Sequence, residues 1–265
     1  MSPPYLAGPR DNSYGIHTAP LLEHNWTFLD DGHDITLWLS PCLRIQVGWL
    51  PEVHFEAPIR IAASTYPLAP PLWRISLDDS TPTEFLTAVT GCLAHTLAQT
   101  PGILFTPNPY RATTLPRPRG WRAASGPVVS SASSPDGLAR YSSVRTPPAV
   151  PAAAAREQQA GWAFTAGPPE RPAWTARFST ATPRILVEAF HRAFTNPAPL
   201  GRSQYELDPL LRPYLITSPL SPPTATADAD RGRTPDVSAS RACPSPSTPK
   251  PPWPPTYLNP CGPRP

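Results

Sequence analysis

Pro71-Leu72-Trp73-Arg74-Ile75-Ser76-Leu77 is followed by Ser80-Thr81-Pro82-Thr83-Glu84-Phe85-Leu86, and Pro172-Ala173-Trp174-Thr175-Ala176-Arg177-Phe178 by Thr182-Pro183-Arg184-Ile185-Leu186. In both stretches a tryptophan precedes a proline by nine residues, and the two copies lie 101 residues apart. An earlier pair agrees: Trp26 stands ahead of Ser40-Pro41 much as Trp121 stands ahead of Ser134-Pro135. A shared spacing of this kind marks a tandem repeat of roughly 80–100 residues, and hence two similar domains.

Each copy opens with short β-rich runs. In the first these are Trp26 to Leu29, Ile35 to Leu39, Leu43 to Val47, Ile59 to Ile61 and Leu72 to Leu77. Leu43/Ile45/Val47 and Trp73/Ile75/Leu77 alternate with polar residues, as strands with one buried face do. In the second copy the runs are Val128-Val129, Leu138 to Val144, Gly161 to Phe164 and Ala173 to Phe178. Short connections between such runs favour an antiparallel meander. A helix then follows. Thr81 reads as N-cap, Pro82 as the first helical residue and Glu84 as the partner in a capping box. Phe85, Leu86, Val89, Leu93 and Leu97 fall on one helical face. Thr182, Pro183, Ile185, Leu186, Phe190 and Phe194 repeat the device. The fold class expected is α+β: two tandem repeats, each an antiparallel β-meander closed by a C-terminal α-helix, with a disordered Pro-rich tail.

The boundaries expected are residues 1–100 for the first repeat, 101–119 for a basic Pro-rich linker, 120–200 for the second repeat and 201–265 for the tail. The linker reads as a poor candidate for regular structure, and the insert around residues 152–155 as a loop or a helical turn or two. Proline supplies 43 of 265 residues, far above the usual share, and 15 of these fall in residues 213–265. A segment so composed cannot bury enough apolar surface to fold, and Lys250-Pro251-Pro252-Trp253-Pro254-Pro255 reads as extended and polyproline-like.

Of 22 basic residues only Lys250 is lysine, so a Schiff-base lysine is excluded from the folded part. Residues 1–100 carry a net charge of −6 and residues 101–265 one of +9. Such a split fits a basic nucleic-acid surface, or two halves that attract each other through opposite charge rather than through a large apolar face. Cys42, Cys92, Cys243 and Cys261 contain no C-x-x-C pair, so no zinc ribbon or thioredoxin-type site is indicated. The start, Met1-Ser2-Pro3-Pro4-Tyr5, lacks a cationic and apolar leader, and no run approaches a membrane span. A cytoplasmic protein without a membrane partner is expected.

Tyr5-Leu6-Ala7-Gly8-Pro9, Gly120 to Pro127, Ser134-Pro135-Asp136-Gly137-Leu138-Ala139-Arg140, Trp162 to Pro169 and Pro172 to Ala176 together resemble the SPDY family, a domain of unknown function (number 317) found in actinobacteria such as Streptomyces, often as a tandem pair. The resemblance covers roughly residues 5–200. In the first copy Ser40-Pro41-Cys42-Leu43 replaces Ser-Pro-Asp-Gly, and in the second Gly137 stands where the family name has Tyr. The resemblance implies a fold unit and an actinobacterial setting. It implies no reaction and no catalytic residue.

No G-x-S-x-G, G-x-x-x-x-G-K-[ST], H-E-x-x-H or G-x-G-x-x-G motif is present, so no catalytic residue and no cofactor are expected. Ser134 to Gly137 reads as a turn between strands. His24, Asp30, Asp31, His33 and Asp34 form a cluster of metal-type ligands, but Asp31-Gly32-His33 reads better as a polar hairpin tip, and no metal is expected. His95 and His191 read as helix-surface or boundary residues. Trp26, Trp73, Trp121, Trp162 and Trp174 recur at equivalent points or on strands and read as core rather than as base-stacking platforms. Arg111, Arg117, Arg119 and Arg122 lie in a window without acids and are the candidate phosphate contacts. The function expected is a non-enzymatic interaction or binding protein with an unknown protein partner. A weak nucleic-acid-binding protein linked to mobile elements is the alternative, and a small-molecule enzyme comes third.

Overall fold

Alternation of Trp73, Ile75 and Leu77 with Arg74 and Ser76 produces a strand that buries every second side chain, β5 (Pro71–Leu77). It lies at the centre of a ten-stranded antiparallel sheet. The computed structural model describes residues 3–9, 14–30, 32, 35–50, 57–106, 115–144, 160–202, 207, 209 and 211–215. The insert at 152–155, the tail from 216 onward, and with it Cys243, Lys250, Trp253 and Cys261, lie outside the described residues. Among the described residues no helix is long and apolar enough to cross a membrane.

The remaining strands are β1 (Thr27–Asp30), β2 (Thr36–Leu39), β3 (Ile45–Trp49), β4 (Ile59–Ser64), β6 (Arg122–Ser125), β7 (Val129–Ser133), β8 (Ala139–Val144), β9 (Ala160–Ala166) and β10 (Trp174–Ser179). Their spatial order is β1-β2-β3-β4-β5-β10-β9-β8-β7-β6. The helices are α1 (Tyr14–Leu22), α2 (Thr83–Gln99), the single turn α3 (Gly102–Phe105) and α4 (Arg184–Phe194). The protein is thus α+β, with one large antiparallel sheet and few helices.

The seam between the copies is β5 against β10, with Ile75 opposite Phe178, Ser76 opposite Arg177 and Leu77 opposite Ala176. Side chains close both ends of it. The Thr175 amide donates to Asp78 Oδ2 at 2.6 Å, and the Arg74 amide donates to Ser179 Oγ at 3.0 Å. Asp78 and Ser179 are 101 residues apart, as are Arg74 and Thr175. The same device therefore appears twice, once from each copy.

The helices cover one face of the sheet. Phe85 of α2 meets Trp174, Phe190 and Phe194 at ring separations of 5.6, 5.4 and 5.9 Å. Edge-to-face pairs of this kind add about 0.5–1.5 kcal/mol each beyond area burial. Residues 1–220 accordingly form one compact unit. This corrects the expectation that opposite charge joins the copies: they share a hydrogen-bonded sheet and an aromatic core. Trp73 and Trp174 are both 1% exposed, and Trp26, Trp38 and Trp162 are buried beside them in the core.

The capping boxes are not formed. Pro82 and Pro183 occupy the N-cap positions, with no side-chain cap hydrogen bond at either. Thr182 Oγ1 instead donates to the Arg74 carbonyl across the seam at 3.2 Å. The Glu84 carboxylate turns to Arg202, which grips both its oxygens and also donates to the Gly8 carbonyl. Part of the segment read as linker is ordered too: Leu104 of α3 and Leu115 are buried.

One of the two end segments crosses between the copies. The Trp73 indole N–H donates to the Leu104 carbonyl at 2.7 Å, and the equivalent Trp174 indole donates to the Tyr5 carbonyl at 3.0 Å. The first copy is therefore closed by the turn that follows its own helix. The second is closed by the N-terminal 3-10 turn Pro4–Leu6.

Candidate functional site

The ten strands contain five arginines, Arg60, Arg74, Arg122, Arg140 and Arg177. Strand alternation puts all five on the sheet face opposite the helices. The pairings prove it: Arg60, Ser76 and Arg177 lie in one row across β4, β5 and β10, while Arg122, Ser133, Arg140, Thr165 and Thr175 lie in another across β6 to β10. Arg74 faces Ala62 on the same side. The neighbours of Ser76, Thr175 and Ser133 along their strands are buried on the helix side. The one acid within the strands, Asp30, shares the other parity with Trp38, which is buried.

The face carries these arginines among Ser76, Ala163, Ser142 and Thr165 at its centre, with Leu29, Leu37 and Leu39 towards the β1 end and Val129 and Val144 on β7 and β8. Arg122, Arg140 and Arg177 are exposed, and Arg60 and Arg74 half-buried. Burial lowers the pKa of Arg60, and the like charge of Arg74 lowers it further. At about 4.8 Å per strand, the arginines from β4 to β6 span about 30 Å.

Of the arginines expected to contact phosphate, Arg122 joins this face. Arg117 and Arg119 are exposed on the approach to β6, and Arg111 lies outside the described residues. Arg117 lies near Tyr141 on the helix side: burial raises the Tyr141 hydroxyl pKa, and the charge of Arg117 opposes that rise. Arg60, Arg74, Arg140 and Arg177 were missed because the apolar partners in each strand were read and the polar ones between them were not. Trp73-Arg74-Ile75 and Ala176-Arg177-Phe178 already carried the signal.

Two of the other sequence candidates bond within their own turns. His24 Nδ1 donates to the Pro20 carbonyl at 2.8 Å, and Asp30 Oδ1 accepts from the Gly32 amide at 2.9 Å. Asp31, His33 and Asp34 lie outside the described residues. Among the described residues no three His, Cys, Asp or Glu side chains converge as a metal site would require. His95 is exposed on α2. His191 corrects the boundary expectation: it is 5% exposed, edge-on to Tyr141 at 4.9 Å, and burial pushes its pKa down to about 4.

A cleft of about 760 Å³ opens on the first copy between the end of α1, the turn at 41–44, the end of α2 and α3. Trp26, Cys42, Arg44, Ala98 and Phe105 are among its walls. The Arg44 guanidinium lies 3.5 Å over the Phe105 ring and donates from Nε to the Ser64 carbonyl.

Two regions of the chain, residues 39–98 and 133–200, match the family model SPDY, described as a domain of unknown function (DUF317). Each match begins one residue before the equivalent serines Ser40 and Ser134. No curated protein and no solved structure matches the chain.

Proposed function

We propose that this chain, with its two SPDY matches in tandem, is a non-enzymatic binding protein that presents the open face of its shared sheet to nucleic acid. In this reading each copy is one meander-plus-helix unit, and joining two of them at the seam doubles the width of the face. The single observation that carries the reading is the alternation of Arg60, Arg74, Arg122, Arg140 and Arg177 onto one face of the sheet. An unidentified protein partner came first from the sequence alone. Arginines spaced across the central strands among Ser76, Ala163, Ser142 and Thr165 support a repeating phosphate backbone as the ligand. Because the contacts are to phosphate, sequence selectivity is expected to be low.

Fluorescence anisotropy with a labelled duplex and a single strand of equal length tests this. Binding is expected at low salt, with log K falling against log salt at a slope of about −3 to −4 if most of the five arginines engage. The Arg140→Glu/Arg177→Glu double variant changes two exposed side chains and is expected to abolish it. Absence of binding at low salt, a flat salt dependence, or an unaffected double variant each refutes the reading.

A further inference from the structure

The sheet sorts its aromatic and its basic side chains onto opposite faces. Phe28, Trp38, Trp162 and Phe178 share one row with Ile75. Trp49, Tyr141 and Phe164 share another with Leu77. Trp73 and Trp174 stand two residues along β5 and β10 from these rows, and so on the same side. Ile75 and Leu77 are fully buried under the helices. Every aromatic side chain of the ten strands therefore lies on the helix side.

The arginines alternate to the other face, and there they form a track. Arg74 lies in one row with Ala62. Arg60 and Arg177 lie in the next row with Ser76, and Arg140 and Arg122 in the one after that with Thr175. The charges thus run obliquely from Arg74, over the seam at Arg177, to Arg122 at the β6 edge. The two-fold relation between the copies does not extend to them: Arg177 answers to Ser76, and Arg74 to Thr175. The track therefore has a single direction.

A line of guanidinium groups fits a linear polyanion, and the placement of the rings bears on its strandedness. Proteins that hold single strands stack the bases on aromatic side chains, each stack strengthening binding about five- to a hundredfold. On the arginine face an unpaired base meets Ser76, Ala163, Ser142 and Thr165 instead. A duplex keeps its bases stacked inside and presents its phosphates outward, so it forfeits nothing on such a surface.

We infer that the ligand of the arginine face is a nucleic-acid duplex, held along one backbone with its bases out of reach. The inference rests on the reading of this face as a nucleic-acid surface and names the form of nucleic acid that it takes.

Anisotropy competition on the full chain tests it with three probes of equal length: a mixed-sequence duplex, a thymine single strand and an abasic sugar-phosphate strand. The duplex is expected to bind at least about tenfold more tightly than the thymine strand at the same salt concentration, because its charge density is higher. The thymine and abasic strands are expected to agree within about twofold, whereas even one base–ring stack separates them by about fivefold. Arg122→Ala changes an exposed residue at the far end of the track and is expected to lower the duplex salt slope by about one. Three results overturn the inference and leave the face a nucleic-acid surface: a thymine strand that matches the duplex, a thymine strand about fivefold or more tighter than the abasic one, or a duplex salt slope unchanged in Arg122→Ala. If none of the three probes binds at low salt, the reading of the face falls and the inference falls with it.

Discussion

Ser76 and Arg177 face each other across the seam at equivalent positions of the two copies, 101 residues apart. Exchanging the copies turns the pair Ile75–Phe178 into the pair Ala176–Leu77, and both pairs are present. The register is therefore that of a two-fold dimer written in one chain, with its axis between Ser76 and Arg177. A two-fold axis explains why each end of the seam carries the same side-chain closure, from Asp78 at one and Ser179 at the other.

Removing both closures is expected to weaken the whole unit rather than one copy. Asp78→Ala leaves the Thr175 amide without this acceptor, at a cost of about 1–3 kcal/mol. The double variant with Ser179→Ala is expected to lower the urea midpoint while the transition stays single, because Phe85 ties the two aromatic cores together. Small-angle scattering is expected to give the same radius of gyration at low and high salt. Two separated transitions, or an expansion with salt, would contradict the shared core.

His191 sets a pH dependence. Its Nε2 is buried without a hydrogen-bond partner, and its pKa falls from the usual 6.5 to about 4 because burial disfavours the charged ring. The unfolded chain therefore takes up a proton at a higher pH than the folded one. Stability from this source is complete above about pH 6.5, is lost as pH falls towards 4, and changes no further below that. The loss is of the order of 3 kcal/mol. Thr90 holds the equivalent place in α2, so His191→Thr is the natural control. Urea midpoints measured across this range are expected to drop in the parent and to lose most of that slope in the variant.

What the sequence disclosed follows from which interactions leave a side-chain signature. The alternation around Ile45 and Ile75, and the tryptophan-to-proline spacing, report burial, and the strands and helices they mark are present. The strand at Arg122–Ser125 was missed because it is an exposed edge with no apolar alternation. The helix at Tyr14–Leu22 was missed because Pro20 sits inside it and reads as a breaker. The seam is held by backbone groups and short polar caps, to which composition is blind. Crossing of Tyr5 to Trp174 depends on a carbonyl 169 residues away, and no local pattern encodes it. The capping reading failed for a related reason: Glu84 answers to Arg202, from beyond the second helix, and not to its own helix terminus.

Arg202 is expected to be a stabilising strap. Its side chain is 3% exposed and that of Glu84 is 31% exposed. Arg202→Ala takes the guanidinium away from the Glu84 carboxylate and from the Gly8 carbonyl. A buried pair broken from one side costs about 3–5 kcal/mol, and the partial exposure of Glu84 reduces this to about 2 kcal/mol. Adding Glu84→Gln to Arg202→Ala is expected to recover part of the loss. If the single variant unfolds at the parent's midpoint, the pair contributes nothing to stability.

Leu43 and Gly137 occupy the same place in equivalent turns. Each donates its amide to the serine carbonyl three residues earlier, Ser40 or Ser134, and each has a left-handed φ, 58° for Leu43 and 76° for Gly137. That conformation costs a side-chain-bearing L-residue about 1–2 kcal/mol. Glycine avoids the clash but loses more backbone entropy on folding, about 0.5–1 kcal/mol. The Leu43 side chain is half exposed, so little packing is forfeited by its removal. Leu43→Gly is therefore expected to stabilise the protein by about 0.5–1 kcal/mol, a rise in Tm of about 1–4 °C for a unit of this size. The reverse exchange is a clean companion, because a Cβ at Gly137 meets nothing within 4 Å. Gly137→Leu is expected to lose a similar amount through the backbone alone. Calorimetry on both variants decides it: shifts of opposite sign support turn strain as the cause, whereas a loss in both would mean that Leu43 contributes packing that outweighs its strain.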